Sequence, residues 1–525
     1  MKTKYLNILS LSLLTWLTAC VGDLDTKPID ENVVTAEDVY KNPEAYRQTL
    51  AKVYSVFAVS GQIGPDGNPD LATSDEGTSN YLRQLWNMQE LTTDEAICAW
   101  NNAGLPDLHN QNWSSANDYI TITYERIYYL ISVANEYLRE TSEGKLNSRN
   151  VSEELKKEIG YYRAEARFLR ALAYYHALDL YGNVPFVDEN EGVGAFYPEQ
   201  IQRNDLFAWL EKELKEIIPL MKAPQTNEYA RADQAAAWTL LAKMYLNAEV
   251  YIGTPRYTDA INYCNLVIPH YSLEGDYTRL FMADNHKAQE VIFPIAFDGT
   301  HTQTYGGTTF LIFAAFGGDS LKTQDYGVSG SWAGNRVSDQ FAANFEPGDK
   351  RACFYTKGQT STEINSVSDF KQGVIVTKFT NMQSNGQPGS NLSFVDTDFP
   401  MFRLADVYLM YAEAVLRGGT GGNPSVALGY INALRARAFD NNAGEITSSD
   451  FTLDFLLEER ARELYWEGHR RTDLIRYRRF SETSWLWPWK GGVKEGRSIA
   501  SHYDLFPLPS SDLGANPKLK QNPGY

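Results

Sequence analysis

The chain of 525 residues sets 48 Lys and Arg against 66 Asp and Glu, a formal net charge of −18, and is 43% hydrophobic and 22% charged. That hydrophobic share can build a sizeable core, which excludes whole-chain disorder. The acidic balance excludes a nucleic-acid partner, whose phosphates need a basic face. Aromatic content is high, with 33 Tyr, 24 Phe and 11 Trp. Composition leaves open whether these rings fill a core or line a surface that stacks on something flat.

The chain opens on a secretory signal. Lys2 and Lys4 precede a short apolar run from Ile8 to Leu17, too brief to span a bilayer, that ends in Leu17-Thr18-Ala19-Cys20. Small residues followed directly by Cys resemble the lipobox, after which the cysteine becomes an acylated first residue. Residues 1–19 therefore read as a lipoprotein signal peptide and Cys20 as the lipidation site, with the several acyl chains that stable anchoring requires. Residues 20–40 are acidic, lack apolar periodicity and read as a tether, leaving residues 41–525 as a single domain. Cys98, Cys264 and Cys353 match neither a disulfide framework nor a metal motif and read as small core residues.

Beyond the tether the periodicity is helical. Thr121–Leu138 pairs with Ile159–Tyr181, where Phe168, Leu172, Tyr175 and Leu178 recur at three- and four-residue steps until Gly182 and Pro185 end the helix. In Asp233–Tyr251, Trp238, Leu241, Tyr245 and Ala248 share one face, and Tyr257, Ala260 and Tyr263 follow. In Pro400–Arg417, Leu404, Val407, Tyr411 and Val415 do the same, followed by Ala427–Ala438. Leu453–Tyr477 predicts one more long amphipathic helix, whose interleaved Arg and Glu read as a solvated or internally paired face. Paired helices with alternating large and small residues resemble degenerate tetratricopeptide units, so the predicted fold is mostly α, a scaffold of helical pairs. Two regions break the pattern. Residues 61–108 are rich in Gly, Asp, Asn and aromatics, and residues 296–399 in Gly, Ser, Thr, Asn and Phe, with only short strand-like runs such as Val374–Phe379. Long irregular loops carry function more often than packing, so the ligand site is expected there.

No Ser/His/Asp signature, His-rich metal motif or Gly-rich phosphate loop occurs. Two carboxylate pairs, Asp94 with Glu95 and Asp396 with Asp398, raise a glycoside hydrolase as a rival reading. Catalytic carboxylates must face each other across a sugar, and adjacent side chains such as Asp94 and Glu95 diverge.

The segments Phe402–Val415 (FRLADVYLMYAEAV) and Glu458–Arg476 (EERARELYWEGHRRTDLIR), with Phe506-Pro-Leu-Pro and Gln521-Asn-Pro-Gly-Tyr525, resemble the SusD/RagB family. These are surface glycan-binding lipoproteins of Bacteroidota. The resemblance runs essentially end to end. It implies a SusD-like fold, no catalysis, and a lipid-anchored position on the outer membrane at the cell surface. It also implies delivery of oligosaccharides to a TonB-dependent, SusC-like transporter. Gly61–Leu71, Glu90–Glu95, Ala99-Trp100, Tyr305–Thr309 and Trp485–Gly492 are most similar to the starch-binding member, which implies starch or malto-oligosaccharides as ligand. Carried over residue by residue, the binding arc falls on Trp100, Tyr305 and Trp332. Polar contacts fall on Arg83 and on an Asn just after Trp100, a role for which Asn101 and Asn102 compete. Asp396 and Asp398 resemble part of a structural calcium site whose other acidic stretch, after Met282–Asn285, is shortened here. Trp485, Trp487 and Trp489 read as structural packing. A different glycan, or a transporter-associated lipoprotein that binds no sugar, are the alternative functions.

The implied constellation is physically coherent. A pyranose presents a face of C–H bonds to an aromatic ring and asks for donors and acceptors at the rim. A curved α-1,4-glucan suits an arc of two or three rings. Each exposed polar contact contributes about 1 kcal/mol net, so single-site affinity is weak and avidity on a polymer raises it.

Overall fold

The structure, a computed structural model, describes residues 35–525 apart from Asp66, Val193 and Ala195. The signal peptide and Cys20 lie outside the described residues, as does most of the tether. The end of the tether is ordered: Ala36–Val39 forms one helical turn closed by a capping box between Thr35 and Asp38.

Helices form where apolar spacing and caps agree. In chain order the principal ones are α1 (Ala45–Ala58), α2 (Tyr81–Glu90), α3 (Asp118–Glu140), α4 (Glu153–Leu180), α5 (Arg203–Ile217), α6 (Gln234–Leu246) and α7 (Tyr257–Val267). They continue with α8 (Gly307–Ala315), α9 (Leu404–Leu416), α10 (Pro424–Phe439), α11 (Leu453–Leu464) and α12 (Arg470–Arg476). Asn117, Ser152, Asp233 and Asn423 cap α3, α4, α6 and α10 with side-chain oxygens, and Pro424 occupies the first turn of α10, where its missing N–H costs nothing. The pairs α3/α4, α6/α7 and α9/α10 pack as the sequence predicts. Small residues at the seams, such as Ala236 and Ala260, are fully buried. The main apolar cluster among the described residues runs from Leu50 to Leu519, and a smaller one joins Tyr40, Ala45, Tyr46, Leu146 and Ile159.

Three predicted helices are cut. Asp233–Tyr251 breaks at Asn247, whose side-chain amide donates to Lys243 O at 2.9 Å. Pro400–Arg417 starts as a strand: Phe399–Arg403, buried throughout, pairs antiparallel with Val291–Ile295 before the chain turns into α9. Leu453–Tyr477 breaks between α11 and α12, where Trp466 and Gly468 adopt left-handed backbone, φ 65° and 79°. The Arg/Glu face of this segment is internally paired and buried, so its solvated alternative falls. Arg403 reaches Glu290, Glu463 and Glu467 at 2.6–2.8 Å, and Arg351 reaches Asp349 and Glu459 at 2.7 Å, all at most 1% exposed at the side chain.

The two irregular regions also hold helices. α2 lies inside 61–108 and α8 inside 296–399, and every residue of both is buried. α8 is apolar on nearly every side and so leaves no amphipathic signal. α2, by contrast, alternates Tyr81, Leu82, Leu85, Trp86 and Met88 with Arg83, Gln84, Asn87 and Glu90 at helical spacing within a loop-rich stretch, and its polar face is buried as well. Short strands complete these regions: β1 (Ile97–Cys98) pairs antiparallel with β2 (Asn335–Arg336), and Phe354–Tyr355 with Ile375–Val376. Cys98 and Cys264 are buried and Cys353 half-buried, all free. Trp487 is buried, and Trp489 donates its indole N–H to Ile364 O at 2.9 Å, which fits the packing role.

Candidate binding site

Pairing of β1 with β2 carries Trp100 and Trp332 to one place. Cys98 lies opposite Asn335, so the chain just past one strand meets the chain just before the other. There the N–H groups of Trp332 and Gly334 donate to Phe313 O and Ala314 O at 2.7 and 2.8 Å. Both carbonyls belong to the last turn of α8, where a helix has no partners of its own to offer. The Trp332 ring thereby sits 5.1 Å from Phe313. Trp100 Nε1 donates to Trp332 O at 3.0 Å. A Cβ on Gly334 would stand 2.6 Å from the Trp100 indole, so glycine is what permits this approach.

Tyr305 reaches the same surface from the start of α8. Glu76 holds the segment, accepting from Tyr305 N and from Thr304 Oγ1 at 2.8 Å each. Asn80 ties the N-termini of α2 and α8 together, its Oδ1 accepting from Arg83 N and Gly307 N at 3.0 Å each. The Tyr305 ring is 39% exposed and lies 6.3 Å from Trp332 and 5.3 Å from Phe394. The three predicted rings are therefore neighbours.

Arg83 lies beneath them and is largely buried. Its guanidinium stands 4.6 Å from the Phe310 ring and 5.8 Å from the Trp100 ring, and Nη1 donates to Asp75 Oδ1 at 3.3 Å. The Asp75 side chain is half exposed. Partial burial opposes its ionisation, but the Arg83 charge and the Thr78 donors outweigh that and hold the carboxyl below its ordinary value. The site thus presents a fixed anion at its rim. Asn101 and Asn102 follow Trp100 and are both exposed. Sequence reasoning missed Asp75, Glu76 and Phe394, since acids in an Asp- and Gly-rich loop carry no periodic signal.

The two carboxylate pairs are structural in their contacts. Asp94 forms a two-pronged bond with Arg470 at 2.7 Å, while Glu95 accepts from Trp466 N at 3.1 Å. Asp396 accepts from Gly299 N at 2.8 Å and from Ser390 N and Oγ at 2.6 Å. Asp398 accepts from Phe297 N at 2.8 Å and from the Tyr229 hydroxyl, and burial lifts its pKa to about 6. Both open on a cavity of about 410 Å³ that Asp284 and Asp298 also line. Calcium takes about six to eight oxygen ligands. Among the described residues no three ligating side chains stand close enough together to hold an ion. Both carboxylates are engaged by protein donors, and through those bonds the two aspartates pin the loops that carry them.

Residues 348–525 match the SusD family, and residues 72–246 match a family described as starch-binding and associating with the outer membrane. The sequence is 35% identical to the starch-binding protein SusD of Bacteroides thetaiotaomicron, over the full length of both chains. The chain belongs to the SusD family. SusD-like protein P25 of Formosa agariphila is 26% identical over 94% of each chain. Among solved structures, surface glycan-binding protein A from Bacteroides thetaiotaomicron in complex with laminarihexaose matches with a TM-score of 0.68 at 20% identity, covering 91% of this chain and 99% of that one. A SusD superfamily protein from Bacteroides vulgatus matches at 0.70 and 19% identity, covering 92% and 99%. The mostly helical, SusD-like fold with helical pairs is thus the fold of this chain. Family membership makes it a glycan-binding protein. Among the described residues no helix is long and apolar enough to cross a membrane.

Proposed function

We propose that this chain is a non-catalytic, cell-surface lipoprotein that binds starch and malto-oligosaccharides and hands them to a TonB-dependent outer-membrane transporter. The observation that carries the reading is the convergence of Trp100, Trp332 and Tyr305 on one surface over Arg83, with Asp75 at the rim. Adjacent rings offer apolar faces to successive sugars, while Asp75 and the exposed Asn101 and Asn102 offer partners to hydroxyls. The full-length likeness to a protein named for starch binding supports α-glucan over other glycans. In this reading residues 41–525 act as one unit, tethered to the outer membrane through acylated Cys20.

Affinity electrophoresis of the mature protein tests the ligand. Retardation is expected in amylopectin gels, and little or none in xylan, levan or mannan. Retardation in laminarin alone would transfer the reading to β-glucan, and reducing-sugar release from any glucan would revive the hydrolase.

A further inference from the structure

Asn381 ties together two loops that flank the ring surface. It is fully buried, and each of its polar groups is engaged. Nδ2 donates to Gly327 O and Asn391 O at 2.9 Å each, and Oδ1 accepts from Asp396 N at 3.0 Å. The backbone N–H donates to Tyr326 O at 3.0 Å, and the carbonyl accepts from Gly389 N at 2.7 Å. Gly327 begins the segment that leads to Trp332, and residues 389–396 form the loop that carries Leu392 and Phe394. Further bonds brace that loop. Asn391 Oδ1 accepts from Ser393 N at 2.8 Å and Phe394 N at 3.2 Å, and Ser329 N, on the Trp332 segment, donates to Leu392 O at 2.9 Å.

This fixed loop presents apolar side chains beside the site. Leu392 is 45% exposed, and the half-buried Phe394 ring stands 5.3 Å from Tyr305. One exposed leucine needs no explanation. Phe394 packs on Tyr305, which neighbours Trp332, and Leu392 stands exposed two residues away on the same braced loop, so the loop offers further apolar surface next to the rings. Rigid apolar contact area with little rotamer freedom to lose is what a weakly bound sugar chain requires.

We propose that Leu392 and Phe394 are glycan-contacting residues that extend the ring row beyond Tyr305, and that Asn381 is the positioning residue that keeps this loop in register with Trp332. The proposal rests on the glycan reading above and adds a length to it. The ligand is an oligosaccharide long enough to pass Tyr305 and lie along residues 389–396, and a short fragment seated on Trp100, Trp332 and Tyr305 does not reach this loop.

Isothermal titration with maltotriose and maltoheptaose tests it on the wild type, on the double variant Leu392→Ala/Phe394→Ala, on Asn381→Ala and on Trp100→Ala. The double variant changes only partly exposed side chains, and a melting temperature near the wild-type value verifies its fold. It is expected to weaken maltoheptaose about five- to tenfold and maltotriose less than about twofold, the scale of one lost contact. Trp100→Ala should weaken both sugars, and Asn381→Ala should reproduce the chain-length-selective loss. Wild-type affinity for maltoheptaose in the double variant overturns the proposal and leaves the glycan reading standing. Equal losses for the two sugars overturn the assignment of length, and equal losses in Asn381→Ala overturn its positioning role. A wild type that binds neither sugar nor amylopectin overturns both readings together.

Discussion

The indole N–H of Trp100 donates to the backbone carbonyl of Trp332 at 3.0 Å, joining residues 232 positions apart. One bond thus fixes the orientation of the first ring against the chain that carries the second. The second ring is set in turn by donation from its own N–H to the last turn of α8. The ring surface is therefore built by backbone geometry, and small changes beneath it should be felt.

Gly334→Ala tests that dependence. Its Cβ would press on the Trp100 indole, so the ring must shift while the fold persists. The expected outcome is glycan affinity about tenfold weaker, about 1.4 kcal/mol, with circular dichroism unchanged. Trp100→Ala should abolish retardation in amylopectin outright.

Glu76→Gln addresses Tyr305. The carboxylate accepts from both Tyr305 N and Thr304 Oγ1, and charge-assisted bonds are the stronger kind. The amide retains one acceptor in place of two. Affinity is expected to fall about three- to fivefold, on the scale of one weakened hydrogen bond, with Tyr305→Ala at least as damaging by the same titration.

Arg403→Met tests the buried ionic network. Arg403 faces Glu290, Glu463 and Glu467, and its loss leaves three carboxylates short of a cation in the interior. The cost is expected to be about 3–5 kcal/mol, read as a lower denaturant midpoint. The acid side has a definite sign. Burial alone would raise the Glu463 and Glu467 carboxyls, but the surrounding Arg and Lys charges outweigh it and hold both below their ordinary value. Their contribution is complete above the unfolded value of about 4.3 and is lost as pH falls below it. Unfolding below about pH 4 should be steep in the wild type.

Glu90 and Glu95 behave oppositely. Both are buried, and burial raises both carboxyls above their ordinary value, with the neighbouring Glu90 charge raising Glu95 further. A raised carboxyl contributes its stability below the unfolded value, about 4.3, and loses it as pH climbs through the folded one. Wild-type stability is therefore expected to decline from about pH 5 into the alkaline range. Glu95→Gln, which keeps an acceptor for Trp466 N, should flatten the decline and melt higher than the wild type at about pH 8.5 in scanning calorimetry.

Much of the scaffold was legible in the sequence because amphipathic helices carry their environment in their spacing. α3, α7 and α10 each turn one apolar face to the core, while α4, α6 and α9 keep the helical spacing of their large apolar residues although much of each is buried on every side. Asn117, Ser152, Asp233 and Asn423 cap the starts of α3, α4, α6 and α10. α8 escaped the sequence reading for the converse reason, since a helix apolar on nearly every side lacks the alternation that periodicity detects. α2 carries that alternation over only ten residues inside a Gly- and Asp-rich stretch and was missed there. The Arg/Glu run of α11 shows the limit of charge patterns. The same spacing suits a wet face or an internal lattice, and only the positions of Arg403 and Arg351 on other elements decide for the lattice.

The sequence by itself determined the helical pairs and the residue types from which a sugar site is made, because these depend on neighbours within a turn or two of the chain. Only the tertiary structure decided that Trp100, Tyr305 and Trp332 are neighbours, that Asp75 stands at their rim, and that Asn381 locks the loop of Leu392 and Phe394 beside them. Those relations rest on a two-residue strand pairing, the carbonyls at one helix end and a buried amide, each joining segments distant in sequence. Contacts of that kind follow from how the whole chain packs, and no local pattern encodes them.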